Sequence, residues 1–362
     1  MGSNQETEFP VIDFTQYPSN PSEISSQLFD AFHQWGFLVL KGHGIPKGDV
    51  EEIFSLSKEF FAQPLEAKQE KPLNLHGQGY DLKESMSATP PRISSTHPNT
   101  SPRIGVHEAL CFGNITLSPD SNFAPFWTPQ KRQTIESFRS KCQSLSALLF
   151  TALATQMRIS PSFFTTPHNP HKPPGNALRL IHYHPLSNPP RKPDVTPRLC
   201  EHTDWGTMTF LFATEPGLEV QTPDGKSWVT APVVDDAIVV NIADGLCLST
   251  GKTLKSTVHR VTWDVVPWDK ERFSVAFFVN ANADAPIRVL EQSDAGKFVE
   301  KEGAVKATYG DYQNVRIKMI EKHDNHISDE EVAIDPVLWE MVKGLGAGVG
   351  EDLEKNDEEV RI

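Results

Sequence analysis

A run of short, β-rich segments occupies the second half of the chain and constrains its fold more than any other feature. Between residues 177 and 280, stretches rich in Val, Ile, Thr, Phe and Tyr follow one another, and Pro and Gly turns separate them. Such spacing is typical of an antiparallel sandwich or barrel, so we expect a mainly β protein with added helices. The predicted strands are 177–183, 207–212, 218–221, 227–231, 237–242, 257–263 and 273–280.

Helical patterns lie on both sides of this region. Ile24, Leu28 and Phe32 repeat at helical spacing, and Ser22 suits a helix start. Residues 72–103 are rich in Pro, Ser, Thr and Gly, which predicts a long loop. The predicted helices are 22–35, 47–62, 129–158, 310–323 and 328–343, with short strands at 9–14 and 37–40.

These patterns divide the chain into three regions. Residues 1–160 are predicted to form a helical N-terminal region. Residues 161–343 are predicted to form the β core, followed by C-terminal helices. Residues 344–362 combine glycines with acidic residues, and we expect a mobile acidic tail.

The overall charge and the cysteines narrow the class of protein. The chain has 34 basic and 47 acidic residues and a net charge of −13, which argues against a nucleic-acid or anionic-membrane partner. No apolar run approaches membrane-spanning length. Four cysteines are widely spaced without a CxxC motif, as expected for reduced thiols, and no targeting signal is evident. We expect a cytoplasmic protein, monomeric or weakly homo-oligomeric, that acts on a small molecule.

Three residues of the β region form a candidate metal site. Side chains two residues apart on a strand point to the same face, so His202 and Asp204 are predicted to converge on one point. His259, on a later predicted strand, would add a second imidazole. Two histidines and one carboxylate, with other positions open, are the ligand set of non-haem Fe(II) oxygenases. We therefore predict that these residues bind Fe(II) and that the chain activates O₂.

A second group of residues is suited to binding a carboxylate. Arg272 and Ser274 share one strand face and together offer a forked charged pair and a hydroxyl donor. Tyr183 can add a further hydrogen bond to the same carboxylate. Arg179 shares a strand face with Tyr183 and is either a substrate-binding residue or part of a structural ion pair. Phe278 shares a face with Arg272 and is either a pocket wall or ordinary core.

The order of these motifs resembles a known family. HxD, a distant His and RxS follow an N-terminal segment, Gly36 to Ile45, that reads GFLVLKGHGI. This arrangement resembles the 2-oxoglutarate and Fe(II)-dependent dioxygenases, specifically the isopenicillin N synthase-like branch, over about residues 9–323. The resemblance implies a double-stranded β-helix (jelly-roll) core with a helical N-terminal region and C-terminal helices.

The resemblance also implies a reaction and a role for each residue. Iron would be held by His202, Asp204 and His259. The distal carboxylate of 2-oxoglutarate would be bound by Arg272 and Ser274, with help from Tyr183. Oxidative decarboxylation of 2-oxoglutarate would then be coupled to hydroxylation, desaturation or cyclisation of a small organic substrate in specialised metabolite biosynthesis.

The chain departs from the family pattern at two positions near Tyr183. Ile181 stands where many relatives have Asn, so one contact to 2-oxoglutarate is expected to be missing. His184 stands where relatives often have Pro, and its role is open. Substrate contacts are expected from segment 72–110, from the strand faces named above and from the C-terminal helices, with Arg103, His107 and Glu108 as candidates.

Two other functions remain compatible with the motifs. One is an oxidase of the isopenicillin N synthase type, which uses iron and O₂ without 2-oxoglutarate. The other is a catalytically silent barrel that binds a small ligand. A zinc hydrolase fits less well, because no obvious general base accompanies the three metal-binding candidates.

Overall fold

The computed structural model describes most of the chain between residues 8 and 325. The described residues are 8–73, 78–83, 107–113, 126–170, 172, 175–185, 198–263, 268–301 and 306–325, together with Leu338 and Val342.

Strands and helices alternate irregularly along these residues. The strands are β1 Val11–Asp13, β2 Phe37–Lys41, β3 Gly79–Lys83, β4 His107–Phe112, β5 Ala177–Tyr183, β6 Leu199–His202, β7 Met208–Ala213, β8 Leu218–Gln221, β9 Trp228–Thr230, β10 Ala237–Ile242, β11 His259–Val261, β12 Arg272–Val279, β13 Leu290–Gln292 and β14 Phe298–Glu300. The helices are α1 Pro21–Gln34, α2 Lys47–Phe61, α3 Leu65–Gln69, α4 Pro129–Met157, α5 Ser162–Thr165, α6 Asp244–Ser249 and α7 Tyr309–Asn325.

Two sheets form the centre of the molecule. The major sheet has eight strands in the order β1-β2-β10-β7-β12-β5-β4-β3, and the minor sheet has four in the order β6-β11-β8-β9. All pairs are antiparallel except β1 with β2. Consecutive strands β5, β6 and β7 alternate between the two sheets, as in a jelly roll. This architecture confirms the predicted double-stranded β-helix core.

The two faces of the major sheet have different neighbours, because side chains alternate along each strand. One face packs on α1, α2 and α4 and forms most of the apolar core, with Leu180, Phe212 and Val275 among its members. We call this the helix face. The other face carries Phe37 and Val39, which pack with Val220 of the minor sheet. We call this the inner face.

Most predicted elements agree with the structure, although several short elements, β6 among them, were not predicted. Two further differences involve the predicted loop. Strand β3 lies inside 72–103, so the loop prediction was wrong at Gly79–Lys83, and strand β4 was not predicted. The sequence of β3, Gly-Tyr-Asp-Leu-Lys, has little β-branched character, and the strand forms because it pairs along β4 at the sheet edge. Residues 74–77 and 84–103 of that loop and the tail 344–362 lie outside the described residues, as does nearly all of the predicted helix 328–343.

The N-terminal region contributes directly to the major sheet. Strands β1 to β4 all precede residue 160 and belong to the same sheet as the later strands. The boundary at residue 160 between an N-terminal region and a β core stays a prediction. Among the helices that the structure describes, none combines the length and apolar composition needed to cross a bilayer.

Candidate metal centre and anion pocket

Three side chains converge where the two sheets meet. His202 ends β6 and lies opposite His259, which begins β11, across the antiparallel pair of these strands. The Nε2 atoms of both histidines lie 3.8 Å from Oδ1 of Asp204. Candidate ligand atoms of the three residues all lie within 4.8 Å of one another. The structure thus brings together the three residues that the sequence singled out.

Asp204 reaches this point by a route that the sequence did not predict. Strand β6 ends at His202, so Asp204 is not on the strand, and the expectation that strand alternation aims both side chains was wrong. The chain turns after β6, and the backbone N–H of Asp244 donates to the carbonyl of Asp204 at 2.8 Å. Convergence therefore depends on the contact between this turn and the start of α6.

Two side chains of the major sheet orient the Asp204 carboxylate. Thr209 Oγ1 and Asn241 Nδ2 donate to Oδ2 at 2.7 and 2.8 Å, so Oδ1 faces the two histidines. Burial raises the pKa of Asp204, but the two histidines and these hydrogen bonds outweigh it and hold the pKa below its usual value. The carboxyl group is therefore ionised, as a metal ligand must be.

A hydrogen bond from the ring of His259 also orients this residue as a metal ligand. Its Nδ1 lies 3.1 Å from the carbonyl oxygen of Thr257. Because a carbonyl only accepts, Nδ1 carries a hydrogen, so Nε2 is the nitrogen that can bind a metal. The Nε2 atoms of both histidines lie 3.8 Å from Asp204 Oδ1, which is longer than a hydrogen bond. A cation could therefore bind between the three side chains without displacing a hydrogen bond between them.

The turn after Asp204 packs closely on the end of β12. A Cβ on Gly206 would lie 2.2 Å from Oδ1 of Asn280 and 2.8 Å from the carbonyl oxygen of Val279. Only glycine fits this close approach. Gly206 therefore holds the turn that carries Asp204 against the major sheet.

Arg272, Ser274 and Tyr183 form a buried pocket on the inner face. Arg272 and Tyr183 lie opposite each other across β12 and β5, and the guanidinium carbon is 5.1 Å from the Tyr183 ring centroid. Nε of Arg272 donates to the carbonyl of Pro216 at 3.0 Å. Within the described part of the chain, Nη1 of Arg272 and Oγ of Ser274 are buried without a hydrogen-bond partner. Buried donors of this kind normally have a partner, and a carboxylate would provide one.

A second buried arginine lies near this pocket and was not identified from the sequence. Arg198 precedes β6, is fully buried, and its Nη2 donates to the carbonyl of Lys270 at 3.0 Å. Burial and the charge of Arg272 lower the pKa of Arg198 to about 10. The two guanidinium groups are therefore close enough to repel each other, which makes this end of the inner face attractive to an anion.

The two candidate substrate residues occupy different positions on the inner face. Phe278 lies opposite Thr209 across β12 and β7, and side chains of such a pair share a face, so Phe278 is next to the metal candidates. Arg179 forms an ion pair with Asp81 of β3, with Nη2 3.5 Å from Oδ2. The ion-pair alternative for Arg179 is thus observed, and a role in substrate binding stays a prediction.

The remaining substrate candidates separate. His107 faces Tyr183, with ring centroids 5.5 Å apart, whereas Glu108 points to the helix face, away from the metal candidates. Alternation along β4 thus places Glu108 on the other side of the sheet from the three metal candidates, and a substrate contact by Glu108 is not supported. Arg103 lies outside the described residues.

Thr209 and Asn241 are site residues that the sequence reasoning missed. Asn241 had a signal, since it is a polar residue within the apolar stretch AIVVNI of β10. A buried amide in such a strand is expected to have a specific partner. Thr209 had no comparable signal, because Thr is common in strands.

Two protein families match the sequence. The N-terminal family of the non-haem dioxygenases in morphine synthesis matches residues 9–102, and the 2OG-Fe(II) oxygenase superfamily matches residues 174–281. The second match includes the three metal candidates and both Arg272 and Ser274.

Individual relatives and a solved structure agree with these matches. A UPF0676 protein of Schizosaccharomyces pombe is 30% identical over 324 residues, covering 86% of this chain and 94% of that protein. A 2-oxoglutarate-dependent dioxygenase of Didymella fabae is 30% identical over 300 residues, covering 78% of this chain and 87% of that protein. The structure of Neurospora crassa T7H in complex with alpha-KG and thymine has a TM-score of 0.69 at 25% identity, covering 83% of this chain and 95% of that one.

Proposed function

The chain belongs to the 2OG-Fe(II) oxygenase superfamily, and we propose that His202, Asp204 and His259 hold the iron of this 2-oxoglutarate-dependent dioxygenase. The observation that carries the proposal is the convergence of both Nε2 atoms on Oδ1 of one buried carboxylate. Bound Fe(II) would supply the oxidation of a substrate C–H bond by O₂, while 2-oxoglutarate loses CO₂ and becomes succinate.

The residues around the three ligands fix their orientation. Thr209 and Asn241 hold the carboxylate, and the Thr257 carbonyl holds the ring of His259. Such outer contacts typically contribute 10- to 100-fold to metal affinity. The protein therefore contributes a preformed ligand set.

We place the distal carboxylate of 2-oxoglutarate against Arg272 and Ser274. The support is the pair of buried donors, Nη1 and Oγ, which would bind its two oxygens. The Tyr183 hydroxyl would donate from the neighbouring strand, and the charge of Arg198 would add to the attraction. Ile181 offers no polar contact to 2-oxoglutarate, so on the protein side binding would depend on the contacts to its distal carboxylate.

The substrate is assigned to the inner face beside the iron ligands. Phe278 would form an apolar wall there, because its strand partner Thr209 donates to Asp204. The Arg179 guanidinium would bind a polar group of the substrate, and its ion pair with Asp81 would then be broken. These groups suit a small organic molecule with an apolar body, in keeping with specialised metabolism.

The proposed setting follows from the composition. A net charge of −13 suits a small-molecule enzyme better than a protein that binds polyanions. Widely spaced cysteines suit a reducing compartment, and we assign the protein to the cytoplasm as a monomer or weak homo-oligomer.

Release of succinate from 2-oxoglutarate tests the function directly. Fe(II)-loaded protein should form succinate with 2-oxoglutarate and O₂, slowly alone and faster with an accepted substrate. His202→Ala should abolish this activity, because one of the three iron ligands is lost. His33→Gln, at an exposed position of α1 whose ring contacts the Thr253 carbonyl and none of the three ligands, serves as the matched control and should keep full activity.

Three results would contradict the proposal. Substrate turnover that does not depend on 2-oxoglutarate would indicate an oxidase. Failure to bind Fe(II) anaerobically would indicate a silent binding protein. Unchanged turnover in His202→Ala would exclude this ligand set.

A further inference from the structure

A second cluster of histidine and carboxylate side chains lies on the helix face of the major sheet. It comprises Glu108 of β4, His182 of β5 and His184 just after β5. Their candidate ligand atoms also lie within 4.8 Å of one another. Tyr183, between the two histidines, points to the opposite face, so this cluster is separate from the iron ligands proposed above.

One oxygen of Glu108 faces both imidazoles. Oε1 lies 2.9 Å from Nδ1 of His182 and 3.3 Å from Nε2 of His184. Ligand atoms around a tetrahedral zinc ion, with bonds of about 2.0–2.2 Å, lie about 3.3–3.6 Å apart. An ion here would replace the hydrogen bond between His182 Nδ1 and Glu108 Oε1, and these two atoms would have to move apart from 2.9 Å to that range.

The other oxygen of Glu108 is held by the protein. Oε2 accepts from Lys68 Nζ at 2.6 Å and from the Tyr80 hydroxyl at 2.5 Å. Burial alone would raise the pKa of Glu108, but hydrogen bonds from His182, Lys68 and Tyr80 outweigh it and lower the pKa to about 2. Glu108 is thus a fixed, ionised carboxylate with one oxygen directed at two nitrogens.

His182 also has the outer partner that metal-binding histidines usually have. Its Nε2 lies 3.2 Å from Oε2 of Glu271, so both ring nitrogens face a carboxylate. A ligand histidine commonly donates its second N–H to a carboxylate in this way. The ring also stacks on Phe273 with centroids 4.3 Å apart, which fixes its plane.

The charges of the cluster are not balanced when both histidines are neutral. Glu108 and Glu271 supply two negative charges, and Lys68 supplies one positive charge. A divalent cation would change the net charge of these groups from −1 to +1. His184 is 37% exposed and gives such a cation a route from solvent.

We propose that Glu108, His182 and His184 form a second divalent-metal site, with a ligand set that suits Zn²⁺, on the helix face of the major sheet. The ion would join β4 to the end of β5. Because Tyr183 lies on the other face of β5 and contacts Arg272, the ion would also fix the strand that carries this pocket residue. The fourth position would be open to water near His184.

Counting bound Zn²⁺ tests the proposal. The full-length protein is stripped of metal, dialysed against Zn²⁺ and analysed by atomic emission, and wild type should hold two equivalents. His184→Gln should hold one, because the iron site remains, and His202→Ala should also hold one, because the second site remains. The double variant should hold none. A zinc-edge anomalous map should show a peak between Glu108, His182 and His184.

His33→Gln is the matched control and should hold two equivalents like wild type. His184 is partly exposed, so its replacement should leave the melting temperature of the metal-free protein unchanged, and circular dichroism verifies this. Two equivalents in His184→Gln, or no Zn²⁺ in His202→Ala, would overturn the proposal. A single equivalent in wild type that His184→Gln retains would overturn it as well, since a protonated histidine would then balance the charge.

Discussion

Asn241 donates a hydrogen bond of 2.8 Å to Oδ2 of Asp204, the carboxylate oxygen that faces away from the two histidines. The amide comes from the penultimate residue of β10, whereas Asp204 lies in a turn after β6 in the other sheet. One hydrogen bond thus connects the rigid major sheet to the only anionic member of the proposed iron site.

Replacing Asn241 by Ala should weaken iron binding without removing an iron ligand. The carboxylate would keep only its bond from Thr209, and loss of an outer contact of this kind typically costs 10- to 100-fold in metal affinity. Anaerobic Fe(II) titration measures the change. Asn20→Ala is the control, since Asn20 is exposed and makes no side-chain cap bond at α1. Wild-type affinity in Asn241→Ala would show that Thr209 alone orients the carboxylate.

Arg272→Gln should raise the KM for 2-oxoglutarate by about 10- to 100-fold, because a charged hydrogen-bonded pair contributes about 1.5–3 kcal/mol. Ser274→Ala should give a smaller increase, since a neutral hydroxyl contributes less. Arg272→Lys should recover only part of the loss, because an ammonium cannot make the forked pair. Initial rates at varied 2-oxoglutarate measure all three variants, with Arg288→Gln, a variant of a surface ion pair, as the control. Equal KM values in Arg272→Gln and Arg288→Gln would contradict the assigned pocket.

Gly206→Ala should destabilise the protein and disturb the turn that carries Asp204. The new methyl group would overlap Asn280 and the Val279 carbonyl, and overpacking of this kind typically costs about 1–3 kcal/mol. Urea unfolding measures the loss, and Fe(II) titration should show weaker binding. Gly48→Ala is the matched control, because a Cβ there meets nothing within 4 Å in helix α2, and this variant should be as stable as wild type or slightly more stable. Equal stability of the two variants would count against the proposed packing.

Stability should fall between pH 6.5 and pH 4 in part because of His168. Burial lowers the pKa of His168 to about 4, while its Nδ1 contacts the Phe164 carbonyl and its Nε2 contacts Thr207 Oγ1. An unfolded histidine has a pKa of about 6.5, so the unfolded chain binds a proton in this range that the folded chain excludes. The stabilisation is complete above pH 6.5 and is lost as the pH falls towards 4.

At pH 5, His168 should lower the free energy of unfolding by at most about 2 kcal/mol. The actual loss should be smaller, because His168 is only partly buried. His168→Gln should therefore lose less stability than wild type between pH 7.5 and pH 5. Urea unfolding at the two pH values measures the difference, and His33→Gln should follow wild type. An identical pH dependence in His168→Gln and wild type would exclude this contribution.

The sequence by itself determined the fold class and the chemical identity of the main site. Period-2 patterns and turn residues are local, so they identified the strands of the core without tertiary information. The residue types His, Asp and His in that order, followed by Arg272 and Ser274, limited the chemistry because few metals and ligands suit such donors.

Only the tertiary structure decided how these side chains meet. Asp204 lies beyond the end of β6, so the position of its carboxylate depends on hydrogen bonds from Thr209 of β7 and Asn241 of β10. Both donors belong to the other sheet. The same reason explains β3, which forms only by pairing with β4. It also explains why Glu108 lies beside His182 and not beside the three metal candidates. Packing and hydrogen bonding across the sheets determine the contacts between distant segments, and local sequence patterns do not predict these contacts.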